Sequence, residues 1–130
     1  MLNALYFSME VLLDSSFIIS CIMKKIDFLS QLEGMGFKIV VLREVIQEMK
    51  DLKFRRISHE ERVAIDLALE MFAFKKVKKT TIGEGRVDDL LIKKGQEGVH
   101  IATLDNGIKR KVPNRIVILS ATKGLGVERD

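Results

Sequence analysis

Five acidic residues stand where a carboxylate could do chemistry. Asp14 follows the apolar run Val11-Leu12-Leu13 and precedes Ser15-Ser16 and a second apolar run, Phe17-Ile18-Ile19. An acid set between two apolar runs must be satisfied by something. Asp105 follows the run Val99–Thr103, Asp88 and Asp89 sit together near residue 87, and Glu48 lies among Val45, Ile46 and Met49. If the runs ending at Leu13 and Thr103 are adjacent parallel strands, Asp14 and Asp105 share the carboxyl edge where open α/β sheets place their sites. Helix amino ends gather at that edge too, which brings in Asp88 and Glu48. Carboxylates so crowded repel one another and take up protons. A hard divalent cation, Mg²⁺ or Mn²⁺, resolves the conflict because it prefers oxygen ligands. Singly, each acid has a plainer role. Asp88 and Asp89 would favour a helix dipole, Asp105 would cap a helix, and Glu48 would be a solvated helix residue. Their joint placement points to a metal site.

The elements that must position these acids follow from the apolar pattern. Val11–Leu13, wholly apolar, reads as a central strand covered on both faces. Ser15 or Ser16 can cap the helix that follows. Apolar residues from Phe17 to Leu32 cover more than one helical face, which predicts two helices with a bend near Lys24-Lys25, or one helix buried on two sides. Gly34-Met35-Gly36 closes that region. It follows a helix and opens a strand, the reverse of a dinucleotide fingerprint. Phe37–Leu42 is the second strand and Arg43–Leu52 a helix. Ser58-His59-Glu60-Glu61 is a capping box opening a helix to about Phe72. Phe74–Val77 reads as a lysine-protected edge strand, and Thr80–Gly85 as a polar loop. Val87–Lys94 is a short helix, with Gly95 and Gly98 bracketing a turn. Val99–Thr103 is a strand, Asn106–Val112 a short basic helix, and Ile116–Leu119 the last strand. Ala121–Asp130 reads as a tail. Strand and helix alternate, which predicts a three-layer α/β/α domain with a mainly parallel sheet. The 130 residues, 47% of them hydrophobic, suffice for one domain spanning 1–130.

Charge and cysteine content narrow the class. Lys and Arg number 22 against 18 Asp and Glu, a net charge of +4 that suits a polyanionic partner. The single cysteine, Cys21, allows no disulfide within the chain and reads as a buried small hydrophobe. A reducing, cytoplasmic setting follows. The most apolar stretch, Val11–Met23, contains Asp14 and is shorter than the ~20 residues of a spanning helix, so no membrane association is expected. Residues 1–8 contain no basic residue and do not resemble a signal peptide. They read as either an extra edge strand or a leader ahead of a start at Met9.

Asp14-Ser15-Ser16, Glu48 within Val45–Met49, Val87-Asp88-Asp89-Leu90-Leu91 and Ala102-Thr103-Leu104-Asp105 resemble, in order, the four motifs of PIN-domain nucleases. The resemblance extends from about Val11 to Leu119. Val87-Asp88-Asp89 and the run Asp105–Lys111 are more similar to the ribosomal-RNA-processing branch (the small-subunit processome nuclease type) than to typical VapC toxins. The resemblance implies a metal-dependent endoribonuclease in which Asp14, Glu48, Asp88 and Asp105 are the site acids. Asp88 and its neighbour Asp89 both stand as ligand candidates, and Ser16 and Thr103 match supporting polar positions. It implies RNA as the partner and leaves open a homodimer, an antitoxin or a ribosome-assembly factor.

An acidic pocket repels phosphate, so such an enzyme needs a basic rim. Lys109-Arg110-Lys111 follows Asp105 directly. Lys53, Arg55 and Arg56 form a second basic loop, and Lys75, Lys76, Lys78 and Lys79 a third. Tyr6 and the seven phenylalanines fall mostly on apolar faces, which argues against an extended stacking platform. His59 in a cap and His100 within a strand read as structural. Glu44 and Glu48 share a helix face. Glu48 is the better ligand because it is one turn deeper, whereas Glu44 in the first turn is expected to stay close to water. A phosphoaspartyl enzyme would want a second aspartate where Ser16 stands, and a receiver domain would want its acidic pair just after the first strand. The alternative of another class is a non-catalytic PIN-like module that binds RNA or assists ribosome assembly.

Overall fold

The computed structural model describes residues 9–81 and 83–130; the expectation for residues 1–8 lies outside them. Strand β1 (Met9–Leu13) pairs in parallel with β2 (Phe37–Leu42) on one side and with β4 (His100–Ala102) on the other. Val11, Leu13, Val41 and Ile101 are fully buried, as expected of central strands covered on both faces. Beyond β2 lies β3 (Lys78–Thr80), and beyond β4 lies β5 (Asn114–Leu119), both parallel to their neighbours. A final strand, β6 (Gly124–Arg129), runs antiparallel to β5. The sheet order is β3-β2-β1-β4-β5-β6.

That order contains a switch point. From β1 the chain moves outward to β2 and β3, then returns to the other side of β1 for β4 and β5. Right-handed crossovers therefore lay the first helices on one face and the later ones on the opposite face. The first group is α1 (Ser15–Met23), α2 (Phe28–Gly34), α3 (Arg43–Leu52) and α4 (His59–Phe74); the second is α5 (Val87–Gln96) and α6 (Asn106–Lys109). Connections leave β1 and β4 in opposite directions, and the crevice between their carboxyl ends is where such sheets bind ligands. Leu13 pairs with Ala102, and the Asp14 N–H extends the ladder by donating to the Ala102 carbonyl at 2.9 Å.

Some elements follow expectation and others depart from it. The apolar run from Phe17 forms two helices: α1 ends at Lys24, Lys25 takes a left-handed φ of 59°, and Asp27 caps α2. Asp14, rather than either serine, is the N-cap of α1. The capping box at Ser58 forms, with the Glu61 N–H donating to Ser58 Oγ at 3.1 Å. Helix α4 runs past Phe72 to Phe74, so the edge strand starts later, at Lys78, instead of covering Phe74–Val77. The buried stripe Ile65, Ala68 and Phe72 carries that helix to its end.

Gly95 lies within α5 instead of in a turn. A Cβ there would fall 2.3 Å from Val112 Cγ1, so the absence of a side chain is what lets α5 approach Val112. The residues after Ala121 are no tail. Leu125 and Val127 alternate with glycine and glutamate along β6, and Leu125 is buried. Arg115 on β5 ties this hairpin with ion pairs to Glu128 (3.3 Å) and Asp130 (2.8 Å). Cys21 is buried, and burial pushes its thiol up to about 12. No helix among the described residues is long and apolar enough to cross a membrane.

Candidate active site

Asp14 leaves β1 at the switch point and is only 5% exposed. Its two carboxylate oxygens are held separately. Oδ1 accepts the Ser15 backbone N–H at 2.9 Å, and Oδ2 accepts the Thr103 hydroxyl at 2.6 Å. Ser16 Oγ stands 3.4 Å from both Oδ2 and Thr103 Oγ1, and accepts the Leu104 N–H at 3.1 Å. Thr103 Oγ1 in turn accepts the Asp105 N–H at 3.1 Å. The loop after β4 is thereby laced to the start of α1 through three hydroxyl and carboxylate groups. Ser16 and Thr103 both stand beside Asp14.

The Asp14 carboxyl is held above the usual carboxylate range. Burial is the largest cause, and the charges of Glu48 and Asp88 add to it. The bonds from Thr103 and the Ser15 N–H pull the other way. Three acids from β1, α3 and α5 are therefore near enough to feel one another. Glu48, half-buried, accepts a hydrogen bond from the Ser15 hydroxyl, which fixes α3 against the first turn of α1. Asp88 is half-buried in the first turn of α5, while Asp89 beside it is exposed.

Asp105 is placed differently. It is exposed, and its Oδ1 caps α6 by accepting the N–H groups of Gly107 (2.7 Å) and Ile108 (3.3 Å). Its link to Asp14 runs through its backbone N–H and Thr103. Lys109, Arg110 and Lys111 follow at the end of α6, and among the described residues none of the three forms an ion pair. Arg55 and Arg56 are exposed in the α3–α4 connection, likewise without a carboxylate partner among those residues. His59 opens α4. His100 begins β4 at the opposite end from the acids, buried edge-on against Phe37 with ring centroids 4.8 Å apart. Burial, then Arg129, lowers its pKa. Neither histidine touches the acid cluster.

Two features escaped the sequence. Ser15 is the buried group that orients Glu48; two adjacent serines give no signal for which turns inward. Glu44 is the other. Both its carboxylate oxygens are buried and lack a hydrogen-bond partner among the described residues, against the expectation that they stay near water. Helix α3 begins at Arg43 directly after β2 ends at Leu42, so no loop lifts its first turn into solvent.

The chemistry of the donors fits a hard divalent cation: they are carboxylate oxygens, one of them raised by burial and by its neighbours. The side chains as placed do not converge, for among the described residues no three of His, Cys, Asp and Glu come together closely enough to hold an ion.

A mainly parallel six-stranded sheet between helical layers, with its acids at the β1/β4 switch point, is the PIN-domain fold. The solved structure of the PIN domain endonuclease Utp24 matches with a TM-score of 0.70 over 93% of this chain and 92% of that one, at 21% sequence identity. A domain of a functionally unknown protein from Methanocaldococcus jannaschii matches more loosely, with a TM-score of 0.49, 16% identity, and coverage of 90% of this chain and 87% of that one. No family model and no curated protein sequence matches the chain.

Proposed function

We propose that this chain is a metal-dependent endoribonuclease, hydrolysing RNA phosphodiester bonds at the carboxyl edge of its sheet. The observation that carries the reading is Asp14. It is a carboxylate raised by burial at a strand end and then by Glu48 and Asp88, instead of being neutralised by a basic partner. A fold that gathers acids there without a cation loses stability, which is reasonable when the cluster serves a ligand. Asp14, Glu48 and Asp88 would hold Mg²⁺ or Mn²⁺, with Asp89 and Asp105 at its margin. When bound, such an ion activates water and stabilises charge on the phosphate.

The chain's own groups supply orientation and substrate capture. Thr103 and the Ser15 N–H fix the two oxygens of Asp14, and the Ser15 hydroxyl aims Glu48. Lys109, Arg110 and Lys111, without an ion-pair partner among the described residues, offer cations one short helix away from Asp105, where phosphates flanking the site would lie. The likeness to the Utp24 endonuclease supports hydrolysis, and the double aspartate with the basic run after Asp105 favours ribosomal-RNA processing. An adjacent antitoxin reading frame would favour a VapC-type toxin instead. The second reading, a non-catalytic RNA-binding or assembly module, draws support from the acids that do not converge.

Incubation of structured RNA with the protein and Mn²⁺ separates the two. Endonucleolytic cleavage that chelator and Asp14→Asn both abolish, with the fold intact by circular dichroism, is the expected result. RNA binding without cleavage, or cleavage that Asp14→Asn leaves unchanged, would overturn it.

A further inference from the structure

Phe54 is 90% exposed, the most exposed large hydrophobic residue among those described. Lone exposed apolar residues are ordinary, but this one is presented rigidly. Its N–H donates to the Asp51 carbonyl at 3.0 Å, and the Arg55 N–H to Leu52 at 3.0 Å, so the turn continues out of α3. Lys53 anchors the turn from behind: its ammonium pairs with Asp66 at 2.5 Å, and its carbonyl accepts Arg62 Nη1 at 2.7 Å. The turn is thus fastened to α4 while the ring stands in water.

Its neighbours are cations. Arg55 and Arg56 follow it, both exposed and, among the described residues, without a carboxylate partner. Phe74, 84% exposed, is likewise followed by exposed cations, Lys75 and Lys76, but it borders a groove whose apolar lining is Leu67, Met71 and Ala73, with Glu70 and Lys75 beside them, the surroundings of a protein contact. A rigid aromatic face flanked by exposed guanidinium groups is the composition that takes an unpaired base together with its phosphates. Phe54 lies six residues past Glu48 and two beyond the end of α3 at Leu52, so the turn continues the chain roughly 9 Å further along the helix direction.

We infer that Phe54 stacks on an unpaired base of the RNA substrate while Arg55 and Arg56 hold the adjacent phosphates. The inference rests on the RNA reading above and narrows it: the substrate carries single-stranded nucleotides beside the cleaved bond, and a continuous duplex binds poorly. An exposed ring in a continuous A-form helix finds no base face to cover.

The chain contains no tryptophan, so Phe54→Trp places a single reporter at the site. Its emission should change on adding single-stranded oligoadenylate and much less with an RNA duplex of equal length. In full-length protein carrying Asp14→Asn to prevent turnover, Phe54→Ala and Phe54→Leu should each weaken oligoadenylate binding about 5- to 150-fold, the range spanned by one aromatic–base stack. Phe54→Tyr should restore most of it, and Phe74→Ala should leave it unchanged. Affinity unaltered by Phe54→Ala, or preference for the duplex, overturns the stack. So does a change of oligomeric state in sedimentation without a change in RNA affinity, which would make Phe54 a protein contact. The nuclease reading fails separately. Cleavage that survives Asp14→Asn would sink it while an emission change at Phe54→Trp still stood.

Discussion

Replacing Thr103 by valine removes one hydroxyl from a side chain that is 1% exposed, and the structure allows the consequence to be worked out. The hydroxyl donates to Asp14 Oδ2 at 2.6 Å, a length typical of a bond to an ionised acceptor. Such bonds contribute about 1.5–3 kcal/mol, against about 0.5–1.5 kcal/mol for a neutral pair. Thr103 also accepts the Asp105 N–H, but Asp105 is exposed and water can replace that acceptor. The variant should therefore lose about 1.5–3 kcal/mol above the folded pKa of Asp14, where the carboxylate is ionised, and about 1 kcal/mol below it, where the acid is protonated.

The sign follows from linkage. The pKa of Asp14 is raised by folding, so its protonated form is the one the fold favours. The corresponding stability is complete below the unfolded value near ~3.9 and is lost as pH rises through the folded value. Thr103 lowers the folded value, so its removal raises it further and deepens the loss on the neutral side. Urea unfolding of chelator-treated protein at both pH extremes measures the two deficits. Thr103→Ser, which keeps the donor, should show almost no pH dependence in its deficit. A Thr103→Val deficit that is equal at both pH values, or larger in acid, would refute the ionised hydrogen bond at the centre of the site.

Gly95→Ala tests the approach of α5 to Val112. Alanine gains ~1 kcal/mol of helix propensity over glycine, yet its Cβ would meet Val112 Cγ1 at 2.3 Å, and overpacking costs about 1–3 kcal/mol. Net destabilisation in thermal melts is expected, and Val112→Ala in the same chain should relieve part of it. Replacing Lys109, Arg110 and Lys111 together by alanine should weaken RNA binding and flatten its salt dependence, by roughly 0.7 in slope for each phosphate left without its cation. An unchanged slope would assign them to the ordinary solvated surface.

The elements that the sequence made legible are those whose burial is uniform. Val11–Leu13 and Phe37–Leu42 carry nearly unbroken apolar runs, and they belong to adjacent inner strands of the sheet. The edges were obscured by what edges require. In β6 glycines occupy positions 124 and 126, hiding the alternation of Leu125 and Val127. Gly126 lies within 3.4 Å of Leu119 when given a Cβ, so a small residue serves packing across the hairpin while erasing the pattern that would announce a strand. At β3 the lysines that protect an edge begin already at the end of α4, so the close of the helix and the turn after it read as the strand. The error there was only one of register, because Lys76 takes a left-handed φ of 52° and delays the strand until Lys78.

The burial of Asp14 was legible for a different reason. A buried carboxylate has few excuses, and Asp14 stands between two apolar runs that leave it none except a hydrogen-bond network or a charge partner. The choice between Glu44 and Glu48 was harder, since one helix face presents both. The case for Glu48 assumed that the first turn of α3 is wet, and it is not: the oxygens of Glu44 are buried and without a partner among the described residues. Glu48 is distinguished by Ser15, whose hydroxyl reaches across from α1 to hold it. The selection thus comes from a residue 33 positions away along the chain, in contact only because β1 and β2 are neighbours and both hand their chains to helices on the same face. Local depth and dipole arguments could not supply that. Glu44 shows the cost of the same arrangement. Starting a helix on the last residue of a strand brings Glu48 within reach of Ser15, and it also draws the preceding turn, with its carboxylate, under cover.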